Sequence, residues 1–226
     1  MATKVGTISI SAVKLPHCSN WSFPPSTIKQ DTTYYVKATI KNNSNVSIKY
    51  TLDGELKDTK GGIVYISSGY KDISSGSSKE LSANIKFIDD SVLCSTSWTL
   101  QNVCIKAKYG NKTYGPFCKQ SSRNITLTPN YKGSLGTGHT IPSSAYLGDT
   151  INFTIKGKNT NKCFNYNLWA KVICKLSTDE SKKFEGTGSK VQTNAGKTSD
   201  LPVSVQVPTN VPEGTYNVYA ELHAGA

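Results

Sequence analysis

Long apolar runs are missing from this 226-residue chain, and no stretch approaches the roughly 18 consecutive apolar residues that a spanning helix needs. Histidine occurs three times and methionine once, so two-histidine copper sites with a methionine cap and histidine-based acid–base catalysis have few residues to draw on. Arginine is almost absent. A single Arg123 stands among 26 basic residues, although Arg is the side chain that grips phosphates and guanine edges bidentately. The formal charge of +11 is therefore a weak pointer to nucleic acid, and its lysines read as the outer faces of strands. No apolar block of signal-peptide type occupies Met1 to Val13; Ile8, Ile10 and Ala12 alternate there instead, and a first strand is expected. Helix-period stretches of convincing length are also lacking.

What is present is period-two alternation, the mark of half-buried antiparallel strands. It runs through Val36, Ala38 and Ile40, then Val46, Ile48, Tyr50 and Leu52, then Leu81, Ala83, Ile85 and Phe87, then Val103, Ile105, Ala107 and Tyr109. In the second half Phe164, Tyr166, Leu168, Ala170, Val172, Cys174 and Leu176 share one face of an extended run. Val203, Val205 and Val207 continue the pattern, as do Tyr216, Val218, Ala220 and Leu222 after the strand-ending prolines of 208–214.

The halves repeat one another. Asp31-Thr32 with Tyr35–Lys41 answers Asp149-Thr150 with Phe153–Gly157, Gly76–Phe87 answers Gly196–Val207, and Asn102–Gly110 answers Asn217–Gly225. About seven strands in each half of roughly 100 residues is the pattern of a β-sandwich. The expected architecture is all-β: two tandem antiparallel sandwiches at 1–130 and 140–226, with a glycine-interrupted linker at 131–139. The first carries +8 of the net charge.

Through Gly148-Asp149-Thr150, which opens a strand, and Pro212–Val218, which closes the set, the second half resembles the immunoglobulin-like modules of cell-surface and virion proteins. The resemblance covers about 138–225, and more loosely 5–128. It departs from antibody domains because Val103 and Val218 stand where the second core cysteine would be. In overall character the chain is similar to the tandem β-domain turret, spike and penton proteins of archaeal viruses, which implies a capsid-associated structural role.

In the first copy the strand ending at Tyr109 turns at Gly110-Asn111 and returns as Thr113–Cys118, with strand-like sequence through Leu127. Nothing in the second copy corresponds to that return. Its last strand, near Tyr216 to Leu222, is therefore expected to leave an edge to be completed by a neighbouring subunit or by sequence beyond Ala226, unless residues near Thr140 to Tyr146 fold over it. The even count of six cysteines suggests disulfides of an exterior protein. A three-residue hairpin loop would set Cys104 opposite Cys118, leaving Cys18 for Cys94 by elimination. Cys163 and Cys174, eleven residues apart, cannot bond each other along an unbroken strand.

Chemistry-bearing constellations are sparse. His17, His139 and His223 have no metal-ligand spacing, the pairs Asp89-Asp90 and Asp179-Glu180 read as loop ends, and no phosphate-cradling loop or nucleophile elbow appears. No cofactor and no enzymatic activity are expected. Trp169 and Tyr219 fall on outward phases and, with Tyr216, Val218 and Leu222, form the candidate interface. Of the six Asn-x-Ser/Thr sites, Asn45 and Asn111 lie at turns and are the better glycosylation candidates. The reading is a non-enzymatic structural protein on a virion surface, assembling with its own copies or other capsid subunits through a β-edge. The main alternative is a cell-surface or pilus adhesin binding protein or glycan; a polyanion binder using the lysines is disfavoured.

Overall fold

The computed structural model describes residues 6–89 and 93–226; the start of the expected first strand and Asp90 lie outside these. Every regular element among the described residues is a β-strand, as the alternation predicts. The chain divides into two compact units, one running to Ile88 with Ser95–Thr128, the other formed by Asp89–Cys94 and Pro129–Ala226.

In the first unit, one sheet has the order β1-β3-β7, from β1 (His17–Ser22), β3 (Tyr34–Lys41) and β7 (Ser78–Ile85). The other orders β2 (Thr27–Lys29), β10 (Arg123–Thr128), β8 (Ser97–Tyr109), β4 (Ile48–Asp58) and β5 (Ile63–Ser67), with β6 (Lys71–Ile73) on β4 and β9 (Lys112–Phe117) on β8. All pairings are antiparallel except that of β2 with β10. The inward phases of β3, β4, β7 and β8 supply the buried core, where Phe87 and Trp98 pack with ring centroids 4.7 Å apart. The Trp98 indole N–H donates to the Ser95 carbonyl at 2.7 Å, so its polar end is satisfied as its ring is buried.

The second unit repeats the plan. One sheet has the order β11-β12-β16, from β11 (Gly133–Leu135), β12 (Thr150–Asn159) and β16 (Thr198–Gln206). The other centres on β13 (Tyr166–Leu176), flanked by β14 (Asp179–Thr187) and β15 (Val191–Thr193) and by β17 (Tyr216–Gly225). The expected linker at 131–139 is corrected here, because β11 belongs to the second unit and pairs with β12. Two of its three glycines are close-packing positions, while Gly138 turns at φ 76° in open space. A Cβ on Gly133 would come within 2.7 Å of Leu222, and one on Gly136 within 3.0 Å of Lys156. The expected first strand is corrected as well, since residues 6–13 join no ladder and Ile8 and Ile10 lie exposed.

Ladder registers show how the copies correspond. Val36 faces Ala83 as Phe153 faces Val203, so Val36 rather than Tyr35 answers Phe153, and the first repeat block shifts by one residue. Leu52 faces Ile105 as Ala170 faces Leu222, and Asp58 faces Trp98 as Leu176 faces Tyr216. The third block therefore shifts too: Ile105 answers Leu222. Asn102, at φ 55°, sits at the register shift in β8 between its pairings with Asp53 and Glu55.

A duplicated buried asparagine anchors this correspondence. Asn42 donates through Nδ2 to the carbonyls of Val46 and Ile73, both at 2.8 Å, and accepts from the Ser44 N–H. Asn159 donates to Phe164 and Thr193 at 2.9 and 3.0 Å and accepts from the Asn161 N–H. Each ties the loop after its strand to the short strand beside it, and each is fully buried. Replacing Asn159 by Leu strands three buried backbone groups and is expected to cost on the order of 3 kcal/mol in urea unfolding, with Asn42→Leu costing a similar amount.

Candidate functional site

The two copies differ where their sheets end. In the first unit, β8 has β4 on one side and both β9 and β10 on the other. In the second unit, β17 pairs along ten residues with β13, from Tyr216 opposite Leu176 to Gly225 opposite Asn167. No strand among the described residues pairs with its other side. Burial records the consequence. Leu100, Ile105 and Ala107 of β8 are fully buried, whereas the inward-phase residues Val218, Ala220 and Leu222 of β17 are only half-buried. Residues near Thr140 to Tyr146 form no ladder with this edge: Thr140 pairs with Thr154 of β12, and 142–147 lie across a cavity from it.

Beside this edge lies a cavity of about 590 Å³ within the second unit. Leu147, Ile151, Phe153, Phe184, Val207 and Val211 line it together with Tyr216 and Val218. The loop 142–147 forms one wall and the segment 211–215, leading into β17, the other. Cys174 also lines it, and burial pushes its thiol up to about 11, keeping it neutral at ordinary pH. The lining is mostly apolar, with Ser143, Ser144 and Thr215 among its polar members and Glu213 as its charged side chain. Such a lining accepts hydrophobic side chains and offers no constellation for catalysis.

On the outer face of the same sheet, Trp169 sits opposite His223, their rings stacked with centroids 5.6 Å apart. Lys190 Nζ lies 5.1 Å from the Trp169 ring and Lys175 Nζ 5.0 Å from that of Tyr219. Trp169 is half-buried by these neighbours, while Tyr219 remains exposed. Lys171 meets Glu185 at 2.7 Å; this hydrogen bond holds the ammonium pKa above, and the carboxyl pKa below, its usual value. The candidate interface residues thus divide. Tyr216, Val218 and Leu222 border the interior, and Trp169 and Tyr219 face outward.

The cysteine pairing differs from that expected. Cys18 bonds Cys118 and Cys94 bonds Cys163, while Cys104 and Cys174 are free and buried. The β8–β9 hairpin turns on two residues, with Tyr109 opposite Lys112, and its register shifts before Ile105 meets Phe117. Cys118 then leaves the ladder with φ at 50°, so it does not bond Cys104 and reaches Cys18 on β1 of the facing sheet. Cys104 is on the outward phase with Lys106, as expected, but is covered, and desolvation raises its pKa. The run through Cys163 breaks before β13, which frees Cys163 to meet Cys94. Asp89 works in the same place, accepting from the Lys162 N–H at 2.8 Å and pairing with Lys132. No spacing rule in the sequence could have paired Cys94 with Cys163.

Asn45 and Asn111 are both exposed at turns, whereas Asn42, which opens the sequon immediately before that of Asn45, is buried in its hydrogen-bond network. His139 Nδ1 accepts from the Lys156 N–H, a structural contact. Among the described residues no group of three His, Cys, Asp or Glu is arranged to hold a metal ion, and no helix is long and apolar enough to cross a membrane.

No protein-family model matches the chain, and no curated protein does. Among solved structures, an alkylpurine DNA glycosylase from Pseudomonas fluorescens bound to DNA with an abasic site analogue is similar at TM-score 0.38 and 10% identity, over 51% of this chain and 31% of that one. A protein of unknown function from Porphyromonas gingivalis gives TM-score 0.31 and 12% identity, over 85% and 84%. Red sea bream transglutaminase gives 0.30 and 14%, over 96% of this chain and 29% of its own length. The chain thus spans about a third of the glycosylase and of the transglutaminase. These values carry no functional argument.

Burial of Cys104 and Cys174 gives a direct check. Without reductant, iodoacetamide at neutral pH is expected to modify neither in the native protein and both after denaturation, with four further thiols appearing only on reduction, as mass spectrometry would count. The Cys18–Cys118 bridge closes 100 residues. Its removal in Cys18→Ser is expected to lower stability by about 4 kcal/mol, read by urea unfolding.

Proposed function

We propose that this chain is a non-enzymatic structural protein of an exterior assembly, in the first instance a virion surface, built from two immunoglobulin-like modules and joined to its neighbours through the second. The observation that carries the reading is the ten-residue free flank of β17 beside an apolar cavity. Unpaired backbone donors and acceptors along a strand form a template for another strand, and folded proteins ordinarily blunt such edges with charge, proline or a cover. Here the inward phase is Val218, Ala220 and Leu222, none of which repels an incoming strand.

Two disulfides fit an exterior, oxidising location, and the half-buried core beside β17 fits a module finished by contact. Partners in this reading are further copies of the chain or other capsid-type subunits. The adhesin alternative draws on Trp169 and Tyr219, but His223 and Lys190 already engage the Trp169 ring, which favours strand pairing over stacking on a sugar.

Sedimentation velocity over a range of concentrations, with electron microscopy of the product, tests the reading. The protein is expected to associate with rising concentration. Val218→Lys, which points a charge inward from the edge, is expected to weaken that association at least tenfold while the circular dichroism spectrum stays β-type. A monodisperse monomer at every concentration overturns the proposal.

A further inference from the structure

The geometry points to the occupant of the free edge: residues Thr7–Ser11 of a second copy of this chain, added as a strand beside Thr215–Val218. The inference rests on the assembly reading above and names the partner it leaves open. It follows from what completes the first unit. There β10 lies beside β8, with Arg123 opposite Leu100, Asn124 opposite Thr99, Ile125 opposite Trp98 and Thr126 opposite Ser97. The ladder correspondence, in which Trp98 answers Tyr216, carries this place to Thr215–Val218 of the second unit. Thr215, Tyr216 and Val218 line the cavity together with 211–214, so the unpaired strand position and the cavity coincide.

β10 reads Asn124-Ile125-Thr126-Leu127-Thr128, and its two aliphatic side chains are buried. The N-terminal segment reads Thr7-Ile8-Ser9-Ile10-Ser11, the same order of polar, aliphatic, hydroxyl, aliphatic and hydroxyl residues. In the single chain Ile8 and Ile10 are 88% and 89% exposed and join no ladder, a costly arrangement for two isoleucines at alternate positions. Laid beside β17 on the phase of Ile125 and Leu127, they enter the cavity while Thr7, Ser9 and Ser11 face solvent. Each copy thus holds one unfilled donor and one unfilled acceptor.

Lys14 N donates to Ser44 Oγ at 2.9 Å and Asn43 Nδ2 to the Leu15 carbonyl at 3.0 Å, which fixes the donor's base on the first unit while the acceptor lies in the second. A contact between two different surfaces of identical subunits is heterologous. It propagates into a ring or a filament rather than stopping at a two-fold dimer.

The test compares the full chain with I8D/I10D, whose replaced side chains make no core contact, and measures binding of a fluorescent peptide spanning Gly6–Val13 to that variant. The variant is expected to self-associate at least tenfold more weakly than the unmodified chain, with an unchanged melting temperature. The peptide is expected to bind it saturably, and Val218→Lys added to the variant to weaken that binding at least tenfold. If I8D/I10D assembles like the unmodified chain while Val218→Lys alone does not, this inference falls and the edge reading stands. A peptide that does not bind the variant also overturns the inference. If the unmodified chain is monomeric throughout, both fall, including the case in which its Ile8 and Ile10 are protected by closing onto its own edge.

Discussion

Every hydrogen-bonding group on a strand needs a partner, and the ladder must end somewhere. In the first unit β9 and β10 lie against β8, and a disulfide from Cys118 to Cys18 clasps the strand end to the facing sheet, so the sheet that holds β8 ends at the short strands β2 and β5. The second unit ends its ladder at β17, where backbone groups face outward beside a cavity lined by Phe153, Phe184 and Val211. That difference sets apart two modules that share a sheet plan and a buried asparagine but differ in register at Asn102, and it moves the candidate site from side-chain chemistry to backbone pairing.

The shared features explain why duplication preserved the fold. Asn42 and Asn159 each hold a loop to a short strand through bonds that only a carboxamide can make in both directions, and removing either would leave buried donors and acceptors unmatched. With these clasps in place the sheets can vary at their margins. The second unit uses that freedom to bring backbone close to backbone: Gly186 of β14 and Gly188 just after it lie so near β16 that a Cβ on either would meet the Ser204 or Pro202 carbonyl oxygen within 2.7 Å.

Much of this was legible in the sequence because alternation is a local property. The inward set from Phe164 to Leu176 is buried throughout, as are Val203, Val205 and Val207, since a strand with one covered face must put every second residue there. That no described strand lies on the far side of β17 was legible by comparing the copies. The repeat's alignment was not, because a shift of one or two residues leaves a period-two pattern looking sound, and only the ladders and the register shift at Asn102 fix it. Ile8 and Ile10 alternate like a strand, yet a pattern cannot say which edge, or which chain, the strand will join.

What the sequence determined by itself was the all-β class, the duplicated plan and the faces of the strands, all consequences of side-chain hydrophobicity repeating along a chain of fixed geometry. Tertiary structure alone decided the cysteine partners, the close-packed role of Gly133 and Gly136, and the half-buried state of Val218, Ala220 and Leu222. These depend on which distant segments meet in space. Bond formation between two sulfur atoms, like the covering of a strand edge, is set by separation in three dimensions, which spacing along the chain does not encode.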